Sequence, residues 1–267
     1  MKKLLAIAAV TFVATGCASS TRPGAVGVTR QQTLWVSSEK VDKIAADSYL
    51  QMAVQAKMQG KLITQGPEYD RLKAIAMRVK AQANTFRDDA DAWHWQFALI
   101  NDPKINAACA PGGKIILYTG LPRTLHLTDD EVAVVLGHEV AHALREHGRE
   151  KLSQAMLKNT AVQIASVAAP GAAGTVGLAN QASQLLFTLP NSRQNEVEAD
   201  QMGLELAARA GFDPRAAITL WQKMATASQG KAPPEFLSTH PSDASRIESL
   251  SALMPTVMPL YEAAHRR

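Results

Sequence analysis

The chain has 267 residues, 46% hydrophobic and 19% charged, which is enough apolar material for one substantial core and no sign of disorder or fibrous repetition. Its 28 basic and 24 acidic side chains leave a formal charge of +4, about +2 once Lys2 and Lys3 of a removable leader are set aside. The basic residues are scattered among acids with no stripe interleaved with aromatics, so composition speaks against a nucleic-acid partner.

The first segment, MKKLLAIAAVTFVATGCASS, has a short basic start, an apolar run of about a dozen residues and then small residues, the layout of a secretory signal. The run is too short to span a membrane comfortably. Ala14-Thr15-Gly16-Cys17 resembles a bacterial lipobox, with Ala14 where leucine is usual. The expectation is a signal peptide over residues 1–16 and a lipid on Cys17, with a soluble periplasmic protein as the alternative. Ala18 and Ser19 favour the outer membrane over the inner one. The compartment is oxidising, yet a lipidated Cys17 leaves only Cys109, so no intramolecular disulfide is available and a core or a metal must hold the fold. Cys109 reads as a small buried residue, with an intermolecular or redox role as the alternative.

Residues 17–38 are rich in Ser, Thr, Gly and Gln without a sustained apolar period, and read as a lipidated tether ahead of a folded domain over 39–262. Apolar positions at three- and four-residue spacing predict amphipathic helices over about 39–59 and 67–84, separated by Gly60 and Gly66-Pro67. WHWQFALI (93–100) and KIILY (114–118) have the aromatic and branched content of short strands, with turn residues at Asn101-Asp102-Pro103 and Pro111-Gly112-Gly113 between them. KIILY reads equally as a substrate-binding edge or as an internal strand. His94 and His126 lack partners at ligand spacing and read as structural or surface residues.

Thr128-Asp129-Asp130-Glu131 forms a capping box ahead of an apolar run and opens a helix over about 129–149. On it, His138 and His142 stand one turn apart on one face, so their imidazoles can converge on one ion. Glu139 is rotated by about 100° from His138 and can sit beside a water at such an ion without binding the metal itself. This HExxH pattern arises by chance in roughly one chain in a hundred of this size. It also leaves a catalytic zinc site one protein ligand short. His147, five residues past His142 on a continuous helix, points elsewhere.

Residues 160–189 are apolar and rich in small residues, but Pro170-Gly171 and Gly174 interrupt them before any run long enough to span a membrane. Two core helices joined by a bend are expected there, with a mobile cover over a cleft as a further possibility. NSRQNEVEADQMGLELAARAG then predicts a helix over about 192–210, ended by Gly211 and followed by another helix after Asp213-Pro214. Glu196 and Asp200 share a face of it, Gly203 permits a close neighbour, and a cation between helices would relieve the repulsion of the two acids. Either acid is a candidate for the missing ligand.

HEVAH, NEVEAD and LSTHPS, with NAACAPGGKIILYTGL and the Ser192-Arg193 pair, resemble the M48 family of zinc metallopeptidases, in particular its secreted bacterial lipoprotein branch. The resemblance implies an α+β fold, a mostly helical zincin-like domain with a small sheet beside the HExxH helix. It implies one Zn2+ per subunit held by His138, His142 and Glu196, with Glu139 as general base and Asp200 as an orienting acid or proton donor. His240, in Ser238-Thr239-His240-Pro241, becomes either an oxyanion stabiliser or a group that occupies the water position and holds the enzyme inactive. The implied function is a lipid-anchored endopeptidase facing the periplasm and acting on unfolded or misassembled envelope proteins. A non-catalytic chaperone or assembly factor stapled by zinc is the rival, and His240 as a fourth ligand would favour it.

Overall fold

The computed structural model describes residues 17–166, 186–187, 190–228, 234–240 and 245–266. In chain order these form β1 (Cys17–Ala18), β2 (Gln32–Thr33), α1 (Ser38–Met58), β3 (Leu62–Ile63), α2 (Pro67–Lys80), two short 3-10 turns, β4 (Gln96–Ile100), β5 (Ala107–Ala110) and β6 (Lys114–Tyr118). There follow α3 (Gly120–Thr124), α4 (Asp129–Leu144), α5 (His147–Ser166), α6 (Arg193–Arg209), α7 (Ala216–Ala227), α8 (Glu235–Thr239), α9 (Ser245–Ala252) and α10 (Met254–His265). The class is α+β, mostly helical with one small sheet. No helix among the described residues is long and apolar enough to cross a membrane.

The centre of the molecule is α4. Its capping box forms as the sequence predicts: Glu131 N–H donates to Thr128 Oγ1 at 3.3 Å, and Thr128 N–H donates to Glu131 Oε2 at 2.8 Å. Every residue from Glu131 to Leu144 is buried, so this helix is enclosed on all sides, with no solvated face. The sheet, α2, α6 and α7 surround it. Its closest neighbour is α6, because Gly137 and Gly203 face each other where any side chain would intrude. A Cβ at Gly203 would lie 2.5 Å from the backbone N of His138, and one at Gly137 would lie 2.5 Å from Gly203 O. Gly203→Ala is therefore expected to lower stability by about 1–3 kcal/mol, since backbone must move to admit the methyl. Urea unfolding measures this, and an unchanged midpoint would mean that the two helices part freely.

The sheet has strand order β3-β4-β6-β5; β4 and β6 are parallel and the other pairs antiparallel. Gly112 and Gly113, at φ of +71° and +78°, turn the chain from β5 into β6. KIILY is thus an internal strand, paired on both sides, and the substrate-edge reading of it is corrected: the edge strands are β3 and β5, and the small residues AACA of β5 carry too little branched or aromatic content to read as a strand. β5 also packs on α4, which places this edge beside the histidine-bearing helix.

The expected tether is also folded onto the body. Val28 and Val36 are buried, Gln32 is 1% exposed, and Cys17 pairs by backbone with Thr33. The backbone N–H groups of Ala25 and Val26 donate to the buried carboxylate of Glu205 at 2.8 and 3.0 Å, and Val36 N–H donates to Ser153 Oγ at 3.0 Å. Periodicity misses this segment because polar and ionic partners supplied by distant helices hold it in place. The signal peptide of residues 1–16 and most of the stretch read as core helices or a cover, 160–189, lie outside the described residues.

Candidate metal centre

The helix expected over 129–149 is two helices. α4 stops at Leu144, Glu146 takes a left-handed conformation at φ +51°, and α5 begins at His147. Before the break, His138 and His142 project from one face of α4 towards α6, where Ser192 caps the first turn by accepting the Asn195 N–H and places Glu196 one turn in. His240 arrives from the end of α8, its backbone N–H donating to Phe236 O at 2.8 Å and its ring stacked on Phe236. All four side chains are buried, and one donor atom from each lies within 4.8 Å of the others.

The separations fit one small cation. His138 Nε2 lies 3.0 Å from His142 Nε2, 3.4 Å from Glu196 Oε2 and 3.2 Å from His240 Nδ1; Glu196 Oε1 lies 3.3 Å from His142 Nε2 and 3.0 Å from His240 Nδ1. Ligands about 2.0–2.1 Å from a tetrahedral centre stand roughly 3.3 Å apart, close to these separations, so the group could hold a metal ion with little rearrangement. Glu196 Oε2 and Glu139 Oε1 are buried without hydrogen-bond partners among the described residues, although Arg246 Nη2 is 3.2 Å from the former and His240 Nε2 is 3.3 Å from the latter. A cation would satisfy the Glu196 oxygen.

The electrostatics carry the same demand for positive charge. Burial works against a charged His138, but hydrogen bonds to Asp200 and Glu196 outweigh it and push the pKa up to about 9. Burial would raise Glu196 too, yet the surrounding imidazoles hold it far below the usual carboxylate range. His142 goes the other way, driven well down by burial, and its neutral ring is the form that ligates. Burial raises the Glu139 carboxyl, and the nearby His240 and His138 oppose that rise only in part. Asp200 stays ionised despite burial because Arg246 and His138 hold its charge.

Asp200 lies 3.0 Å from His138 Nδ1 and does not enter the donor cluster. Of Glu196 and Asp200, only Glu196 therefore points its oxygens between the histidines. Glu139 stands at the rim beside His240, lining a cleft with Ala108, Cys109, His142 and Lys151. Cys109 is buried and burial raises its thiol pKa, in keeping with a packing residue. His94 and His126 are exposed and are not part of this cluster.

Two side chains at the centre, Arg246 and Glu198, are absent from the sequence reading, and a third, His147, is misplaced in it. Arg246 of α9 grips both oxygens of Asp200, Nε to Oδ2 at 2.5 Å and Nη2 to Oδ1 at 2.7 Å, with its guanidinium 3.6 Å above the Trp221 ring. Its place six residues after His240 is the only cue the sequence offers, and spacing across a loop fixes no geometry. His147 and Glu198 form the other pair: His147 Nδ1 is 2.8 Å from His142 Nδ1, and His147 Nε2 is 3.2 Å from Glu198 Oε2. The reading of His147 as pointing away is corrected, since it assumed an unbroken helix and the turn at Glu146 swings the ring back.

A model of peptidase family M48 matches residues 68–254. The chain is 30% identical over 247 residues to the mitochondrial metalloendopeptidase OMA1 of Saccharomyces cerevisiae, a match covering 87% of this chain and 69% of that protein. It is 39% identical over 161 residues to the mitochondrial metalloendopeptidase OMA1 of Arabidopsis thaliana, covering 59% of this chain and 31% of that one. To the beta-barrel assembly-enhancing protease of Escherichia coli it is 32% identical over 190 residues, covering 66% and 37%. The chain thus spans only about a third of the length of the plant and bacterial relatives.

Proposed function

The chain belongs to peptidase family M48, and from that premise we propose that it is a zinc-dependent metalloendopeptidase that cleaves unfolded or misassembled proteins of the cell envelope. The observation that carries the reading is the meeting of His138, His142 and Glu196 at ligand spacing, with a Glu139 carboxylate oxygen at the rim that no hydrogen bond engages. These three residues hold the zinc, one ion per chain. When bound, zinc polarises a peptide carbonyl and acidifies a water.

Glu139 accepts the proton of the attacking water at Oε1 and returns it to the leaving amine. Its burial suits it to both roles, because a raised pKa brings a carboxylate closer to the working pH. Asp200 accepts the Nδ1–H of His138, which points Nε2 at the metal, and Arg246 keeps Asp200 charged for that task. β5 offers its free edge to an extended substrate, which adds as a strand beside Glu139.

His240 is the one group whose position favours the rival reading. Its Nδ1 stands among the donors at the fourth corner, while its Nε2 faces Glu139. A site closed by four protein ligands is the structural kind. In the peptidase reading the same contact is a resting state: once a metal is held by the other three residues, His240 would withdraw to leave room for water, and its ring could steady the oxyanion. Retention of Glu139 favours the peptidase, since a structural site has no use for a buried base.

We further read Cys17 as lipidated and the protein as an outer-membrane lipoprotein facing the periplasm, with a soluble periplasmic form as the alternative. A lipid there holds the body at the membrane without slack, because the residues after Cys17 are bound to the folded body. The substrate class is tested by incubating the zinc-loaded chain with one outer-membrane β-barrel protein in its unfolded and its folded form. Cleavage of the unfolded form alone is expected; cleavage of neither, by a protein with full zinc, would support the scaffold rival.

A further inference from the structure

Both histidines of the HExxH pair carry a partner on the ring nitrogen that faces away from the donor cluster. For His138 the partner is a carboxylate, Asp200. For His142 it is another imidazole, and two ring nitrogens 2.8 Å apart can share only one proton between neutral rings.

Glu198 decides which ring holds it. Its Oε2 lies 3.2 Å from His147 Nε2 and also accepts from Arg145 Nε at 2.9 Å, while Arg30 binds its Oε1 through Nε. A carboxylate held charged by two guanidiniums repels a lone pair and accepts a proton, so His147 carries its hydrogen on Nε2. Its Nδ1 is then the acceptor, and the shared proton sits on His142 Nδ1. The remaining lone pair of His142, on Nε2, therefore faces His138, Glu196 and His240. The opposite arrangement would set a lone pair of His147 against the Glu198 carboxylate.

The relay is walled in: His147 is 1% exposed and Glu198 2%. It is also anchored from the N-terminal segment, since Arg30 spans Glu198 and Glu150, at 2.6 Å to Glu150 Oε1, and Gln32 donates to Arg145 O at 2.6 Å.

We propose that His147 is a positioning residue for His142: fixed by Glu198 at Nε2, it accepts the His142 Nδ1–H and so holds the His142 Nε2 lone pair towards the metal. The proposal rests on the reading of His142 as a metal ligand. It gives the N-terminal segment a part in the metal centre, since Arg30 steadies the acid at the end of the relay.

The test is zinc affinity of the full chain, by competition with a chromophoric chelator, together with the visible spectrum of the cobalt-loaded protein. His147→Phe is expected to weaken zinc binding by about 10- to 100-fold, the usual cost of losing an outer-shell partner. His147→Asn, whose amide oxygen can accept the same proton, is expected to recover most of it and to restore the cobalt spectrum. A residue that merely fills space would instead lower thermal stability in both variants with zinc affinity unchanged, and that result would overturn the proposal. Long-range proton–nitrogen correlation on the zinc-loaded wild type, with labelled histidine, needs no variant to fold: His147 protonated at Nε2 and His142 at Nδ1 are expected, and His147 protonated at Nδ1 would overturn it. Failure of the wild type itself to bind zinc would bring down the metal reading as well, whereas tight wild-type binding with an indifferent His147→Phe would bring down the relay alone.

Discussion

Glu139→Gln is expected to reduce kcat/KM on an unfolded protein substrate by about 10²- to 10⁴-fold, the range that a positioned general base contributes. The substitution keeps the shape of a side chain that is 3% exposed, so the packing around α4 stays as it is. What it removes is the ability to accept a proton at Oε1, an atom that no hydrogen bond among the described residues engages. Glu139 does not belong to the group of four donors, so zinc content and affinity should stay at the wild-type level. Loss of zinc together with activity would make Glu139 a ligand instead, and undiminished cleavage in the variant would end its assignment as base.

Arg246→Leu is the second large effect. The arginine is the cation that faces both Asp200 and Glu196, at 2.5 Å to Asp200 Oδ2 and 3.2 Å to Glu196 Oε2, with its side chain 6% exposed. Removing one partner of a buried pair typically costs about 3–5 kcal/mol, because the abandoned charge stays out of water. That loss is expected in the metal-free protein, with a smaller one when zinc is bound, since the ion offsets part of the charge on Glu196. Paired urea titrations with and without zinc read the difference. Equal losses in the two states would mean that the metal does not share a field with these acids.

The sequence made the helices legible where a pattern is local. The predicted helices over 39–59, 67–84 and 192–210 correspond to Ser38–Met58, Pro67–Lys80 and Arg193–Arg209, each placed by apolar spacing and by glycine, proline or a cap at its ends. The HExxH pair was legible for the same reason, since one turn of helix relates its members. Glu196 was legible only as one of two candidate acids on a helix face, and resemblance to a family chose it over Asp200 and alone singled out His240, because both residues reach the cluster from other elements.

What escaped has a common cause in long-range partnership. Residues 18–36 look like a linker because their few buried valines follow no period and the polar groups that hold them in place find their partners on α5 and α6. β5 escaped because alanine carries almost no strand signature, and pairing with β6 is what makes it a strand. His147 escaped because one residue, Glu146 at φ +51°, divides a helix whose apolar pattern runs on past it. Arg246 was overlooked because its two contacts with Asp200 exist only after α9 folds back onto α6.

The proposed function stands or falls with a catalytic zinc held by His138, His142 and Glu196 together. The most direct measurement is metal stoichiometry by mass spectrometry on the full chain purified with zinc, for the wild type and Glu196→Ala, with casein cleavage followed on the same samples. About one zinc per wild-type chain is expected, with little or none in Glu196→Ala, and cleavage that follows the metal and returns when a chelated wild type is resupplied with zinc. A wild type that cleaves casein without metal, or a Glu196→Ala protein that keeps its zinc and its activity, would contradict it.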